Sequence, residues 1–269
     1  MISTLKNAWK IPELRRRILY TLMMMLVFRL GSVIPVPGVN IAYVRDIVEN
    51  AGLLAMFDMF SGGAFGNMTI FALSITPYIT ASIIMQLLTI AIPSLEELAK
   101  EGEEGSKKIA QYTRYTTIIL ALIQATGISV GLFRGALIDK STFNIVVVVC
   151  TLTAGTAFLM WLGEQITEKG IGNGISLLIF AGIVSRVPDG IYKTYALTKQ
   201  GEISYITILG FLVIAIAIIA GVVAIQEGTR KIPVQYAKRV VGRKMYGGQS
   251  THIPLKVNQA GVIPVIFAM

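Results

Sequence analysis

Residues 18–38, 68–92, 112–133, 144–163, 175–192 and 205–226 are apolar runs that carry almost no charge. A helix needs roughly 20 apolar residues to cross a bilayer. Only helices and closed barrels satisfy their backbone polar groups there. Repeated runs of this length point to an all-α, polytopic transmembrane helix bundle. A seventh run begins near residue 258 and holds 12 residues, 258–269, so the sequence reads as truncated inside that span, with about seven spans present. The chain is 14% charged, where soluble domains carry roughly 25%.

The stretch 52–92 does two different things in a row. Residues 52–60 (GLLAMFDMF) form a short apolar run that Gly62, Gly63 and Gly66 break before it can span. Residues 68–92 then read as a full, uncharged crossing. A non-spanning segment at membrane depth is tolerated only inside protein or in a watery cavity. The pattern predicts a short segment, hinged by glycines, at the mouth of a cavity around residues 57–66. An ordinary external loop with a surface helix is the plainer alternative.

Lys and Arg, counted loop by loop, set the orientation. With the N-terminus cytoplasmic, segments 1–17, 93–114, 164–174 and 227–257 hold 17 basic residues, and the intervening outer segments hold 6. Arg29, inside the first span, completes the 24. Residues 18–38 follow a basic start as a signal peptide would. The run is long, ends in IPVPG with Pro35 and Pro37, and is followed by more spans, so it reads as the first transmembrane helix. Arg29 either snorkels to the interface or makes a buried contact.

Several chemistries are disfavoured. Asp46, Asp58, Asp139 and Asp189 fall in loops, and the spans hold no mid-membrane Asp, Glu or His. Ion-coupled transport and intramembrane proteolysis usually need such groups. Cys150 is the lone cysteine and His252 the lone histidine. Neither an internal disulfide nor a cysteine metal site is available, no cofactor is expected, and the chain reads as a non-enzyme. The glycines of GEQITEKGIGNG lack the strand and βαβ unit of a nucleotide fingerprint and read as a tight turn between helices.

Two loops on the basic side are long. Residues 93–114 mix five Glu with Lys100, Lys107, Lys108 and Arg114, and read as a solvated helical loop. Residues 227–257 carry seven basic residues against Glu227, with Tyr236 and Tyr246 interleaved. A solvated positive loop accounts for the charge. The length and the alternation VQYAKRVVGRKMYGG point to a projecting hairpin suited to RNA phosphates or an acidic partner. Ile75 and Ile79 stand four apart around Pro77, and Ile179 and Ile183 stand four apart, so each pair falls on one helical face. Ile266 follows Pro264. These are ordinary core or lipid-facing residues unless they form an apolar constriction.

The segments FALSITPYITASIIMQLL, GEQITEKGIGNGIS and KIPVQYAKR…YGGQSTHIPLKVNQAGVIPVIFA together resemble the bacterial SecY family of protein-conducting channels, in order and along the whole chain. The resemblance implies ten helices in two pseudo-symmetric halves around a plugged pore. Residues 1–200 would be the N-terminal half, helices 1–5, and 201–269 the start of the C-terminal half. It implies a plug at Phe57, Asp58, Met59, Phe60, Ser61, Gly62, Gly63, Ala64 and Phe65. It places the pore ring at Ile75, Ile79, Ile179, Ile183 and Ile266. A lateral gate would involve Thr80, Asn258 and Gln259. The cytoplasmic docking arm would use Lys231, Lys238, Arg239, Arg243 and Lys244. The implied function is passage of unfolded secretory proteins across the bacterial cytoplasmic (inner) membrane, with lateral release of signal or membrane segments into lipid. The implied partners are the SecE and SecG subunits, the SecA motor, the ribosome through its RNA and protein at the tunnel exit, and the nascent chain with its signal sequence. Two other classes stand beside this one: a small-solute transporter, and an assembly subunit without its own pore.

Overall fold

A computed structural model describes residues 9–52, 54–55, 58, 61–234, 239–241, 244–246 and 251–258. Phe57, Met59, Phe60, Lys238, Arg243, Gln259 and Ile266 lie outside the described residues. The chain divides into two compact units, Met1–Ile191 and Tyr192–Met269.

In the first unit, α1 (Pro12–Gly31) opens on a proline in its first turn, where the missing N–H costs nothing. It ends four residues before Pro35, which corrects the expected end at Pro35 and Pro37. The Ser32 hydroxyl donates to the Arg29 carbonyl, 2.8 Å away. A short α2 (Ile41–Asn50) starts at Asn40, whose side chain accepts from the Ala42 N–H at 3.1 Å, a normal N-cap. Val44 and Val48, four apart, are its buried face.

The expected full crossing 68–92 is also corrected. Residues 61–75 run through turns, and helix begins only with α3 (Thr76–Ala91). Two facts explain this. Pro77 fits only the first turn of a helix. Upstream, the backbone is engaged elsewhere: Val36 N–H donates to the Met68 carbonyl at 2.9 Å, and Ile70 N–H to the Ile34 carbonyl at 3.0 Å. After Ile92 the chain bends by 101° into α4 (Pro93–Lys100).

The charged loop 93–114 is helical, as expected. α5 (Glu103–Thr126) begins inside it and runs on into a π-helix, Gly127–Leu132. The pairs Lys100–Glu96 at 2.7 Å and Lys107–Glu103 at 2.9 Å are exposed and spaced four apart, the pairing a solvated helix supports. α6 (Thr142–Lys169) is the central post. Val148, Leu152, Gly155, Leu159, Leu162 and Ile166 are buried along it at three- and four-residue spacing. α7 (Gly174–Ser185) starts at the Asn173 cap, and α8 (Val187–Lys199) follows the turn at Arg186.

α6 divides the apolar core into two clusters. Val148 and Leu152 join Val44, Val48, Phe65, Met68, Leu73 and Phe133 at one end. Leu159, Leu162 and Ile166 join Phe28, Ala64, Phe71, Ile75 and Leu178 nearer the other. Segments assigned to one side by basic-residue counting also meet. Arg114 Nε donates to Glu164 Oε1 at 2.7 Å, and the Ile171 N–H reaches the Thr21 hydroxyl, at 3.1 Å, near the basic end of the first apolar run. At the opposite end, the Asn40 N–H donates to the Ala136 carbonyl at 2.7 Å.

In the second unit, α9 (Tyr205–Glu227) is apolar around its whole circumference and buries no residue, the signature of a helix meant for lipid or a larger assembly. Two antiparallel ribbons follow. β1 (Thr229–Val234) pairs with β4 (Thr251–Lys256), and β2 (Arg239–Val241) pairs with β3 (Lys244–Tyr246). The predicted hairpin is present. Among the described residues, four helices are long and apolar enough to cross a bilayer, or five if the bent α3–α4 pair counts as one.

Candidate pore ring and seal

Among the described residues after α2, Asp58 and residues 61–67 are tied together by a dense set of hydrogen bonds. Asp58 is the only acidic or basic residue between Glu49 and Glu96. Its carbonyl accepts from the Gly63 N–H at 2.9 Å and from the Ser61 hydroxyl at 3.0 Å. The Ser61 hydroxyl accepts in turn from the Phe65 N–H at 3.1 Å, and one carboxylate oxygen of Asp58 accepts from the Gly66 N–H at 2.7 Å. The other carboxylate oxygen pairs with Arg186 Nη2. Asn67 Nδ2 donates to the Gly63 carbonyl at 2.8 Å, and Arg45 Nη2 donates to Asn67 Oδ1 at 2.6 Å. Phe65 is buried against Phe133 with ring centroids 5.6 Å apart.

The glycines are therefore not the loose hinge the sequence suggested. Gly62 and Gly63 have φ of +67° and +90°, a region other residues rarely enter. Both stand where no side chain fits. A Cβ on Gly62 would sit 2.7 Å from the Gly182 carbonyl oxygen, and one on Gly63 would sit 2.8 Å from the Arg186 guanidinium. They let the segment close onto the end of α7.

Of the five positions expected to form a ring, Ile75, Ile79 and Ile179 share one apolar cluster, which also holds Ala64 of the expected plug. Ile75 departs from expectation. It lies at the N-cap of α3 and is 3% exposed, inside the unit. Ile79 and Ile179 are half-buried, and Ile183 is 39% exposed. Thr80 is half-buried, and its hydroxyl donates to the Thr76 carbonyl at 3.1 Å. On the arm, Lys231 is exposed and stands opposite Pro254; Arg239 stands opposite Tyr246, and Lys244 opposite Val241. Sequence reasoning missed Arg186. Its only signal was that the apolar seal carries one unexplained carboxylate.

Residues 69–269 match the profile of the SecY family. The chain is 53% identical to the protein translocase subunit SecY of Halalkalibacterium halodurans over its whole length. The chain belongs to the SecY family. It spans 64% of that relative's length. The SecY-type fold is shared with solved channels at lower identity. One is a SecY channel described as having a plug domain that stabilises its closed state and maintains a membrane seal. It matches with a TM-score of 0.63 at 22% identity, over 94% of this chain and 55% of the other. Another is Sec61 in the canine ribosome–channel complex from the endoplasmic reticulum, with a TM-score of 0.59 at 21% identity, over 82% of this chain and 49% of the other. Membership of SecY and the set of apolar helices make this a multi-pass membrane protein.

Proposed function

We propose that this chain forms the N-terminal half and the start of the second half of a passive protein-conducting channel. The observation that carries the reading is the shared apolar cluster of Ile75, Ile79, Ile179 and Ala64. An apolar constriction excludes water and ions yet yields to a larger apolar object. With Ala64 of the plug segment in the same cluster, the ring is capped. Ile79, Ile179 and Ile183 are the ring's accessible members, Ile75 is covered while the seal is in place, and Ile266 completes the set.

The channel passes unfolded secretory chains and releases signal or membrane segments sideways through a gate that includes Thr80, Asn258 and Gln259. Residues 1–200 and 201–269 belong to its two halves. It works without covalent chemistry or cofactor in the bacterial cytoplasmic membrane, with its N-terminus cytoplasmic as the 17-to-6 basic split favours. Energy comes from outside, from the ribosome or the SecA motor, and SecE and SecG are companion subunits. A small-solute transporter would need polar groups converging at mid-membrane, and the ring cluster is apolar.

A photoreactive residue at Ile79, in the complete channel carrying a stalled secretory chain, is expected to crosslink to that chain. Crosslinks to lipid alone would return the isoleucines to an ordinary core. The arm carries a separate expectation. Lys231→Glu combined with Arg243→Glu should weaken ribosome or SecA binding about tenfold at low salt, and less as salt shortens the screening length from ~30 Å to ~8 Å. A loss that is the same at every ionic strength would rule out charge-based docking.

A further inference from the structure

We propose that Asp58 and Arg186 form the latch that holds the seal segment shut. The inference rests on the plug reading of residues 57–66 and goes one step further, by naming the two residues that position it.

Three observations converge. First, Asp58 carries the one charge of an otherwise uncharged stretch. Such a carboxylate in a mostly buried segment is costly unless it is paired. Both of its oxygens are engaged, one by the Gly66 N–H inside the segment and one by Arg186 across 128 residues of sequence. Asp58 therefore folds the segment and fastens it through the same group.

Second, Arg186 sits at the C-terminal cap of α7, the helix that carries Ile179 and Ile183. The pair thus joins the seal to the helix that lines the ring. Any movement of the α7 end that widens the ring pulls directly on the pair.

Third, the fit around the pair is specific. Gly63 leaves room for the guanidinium, and Gly62 leaves room for Gly182 and Ser185. The Asp58 side chain is 13% exposed and that of Arg186 is 35% exposed. Arg186 borders a polar cleft of about 350 Å³ that is also lined by Arg29, Arg45 and Asp189. Water reaches the arginine more readily than the carboxylate, so breaking the contact leaves Asp58 as the poorly solvated partner and favours the closed pair. Arg186 Nε has no acceptor among the described residues. The fastening observed runs through Nη2, and a lysine ammonium can take its place.

The test is resting ion conductance of the complete channel in a planar bilayer. Variants are Asp58→Arg, Arg186→Asp, the double exchange, Arg186→Lys, and a deletion of residues 57–65. Each single reversal is expected to raise the leak about tenfold, the ratio that corresponds to ~1.4 kcal/mol. The double exchange should leak several-fold less than either single reversal without reaching the unaltered channel, because an arginine at 58 cannot accept from the Gly66 N–H, and Arg186→Lys should leak less than Arg186→Asp, because charge-assisted pairing survives in both. If the deletion leaks while the single reversals do not, the latch is wrong and the plug reading stands. Single reversals that leak without recovery in the double exchange also overturn the latch, because the defect is then not in the pairing. A deletion that leaves conductance unchanged removes the plug reading itself.

Discussion

Phe71→Ala is expected to lower stability by about 3–5 kcal/mol, the usual cost of deleting a buried aromatic ring. Phe71 is 2% exposed. Its ring is stacked between Phe28, 6.0 Å away at 12°, and Phe158, 6.0 Å away at 6°. Stacked pairs add about 0.5–1.5 kcal/mol beyond the area they bury. The residue also lies in the turns that precede α3, so its loss loosens the start of that helix. The measurement is denaturant unfolding of the purified chain in detergent micelles. A coupled variant checks the geometry. A methyl on Gly31 would run into the edge of the Phe71 ring, so Gly31→Ala alone should destabilise. Combined with Phe71→Ala it should cost less than the sum, because the methyl enters the space the ring has left. Additive costs would mean that the two residues do not meet.

Gly155→Val should be at least as damaging, at about 3 kcal/mol or more, because added bulk in a packed core must displace something. Here the obstacle is backbone. A Cβ on Gly155 would fall on the Ile70 carbonyl oxygen. Ile70 cannot retreat, because its N–H is bonded to the Ile34 carbonyl at 3.0 Å. α6 is likewise fixed by buried residues on both sides of Gly155. Low yield of folded protein and a lowered unfolding midpoint are the expected readouts. Gly210→Ala in α9 is the control, since nothing lies within 4 Å of its added methyl. There the better helix propensity of alanine should leave stability unchanged or slightly raised. Equal behaviour of the two variants would show that the close approach of α6 to residue 70 is not essential.

The sequence alone determined the fold class and the approximate place of most apolar helices, though not where the helix expected at 68–92 begins. Uncharged apolar runs can do little but cross a membrane as helices. The same local logic found the hairpin in the arm, where period-two alternation between 227 and 257 matches the β1–β4 and β2–β3 pairing. It also found the interrupted segment at 52–66, because glycines that break an apolar run are visible in one dimension.

Only the tertiary structure decided what those glycines are for. As hinge residues and as points of close approach they look identical in sequence. The difference lies in Gly182 and Arg186, more than 100 positions away. For the same reason the partner of Asp58 was invisible, since pairing across 128 residues leaves no local period. The start of α3 belongs here too. Residues 68–75 are apolar enough for helix, but Ile34 and Val36 take their backbone groups first. Ile75 follows from that: held at the helix cap, it turns into the core. Apolar periodicity fixes which residues leave water. Which of them face each other, and which face a cavity, is set by contacts between segments distant in sequence.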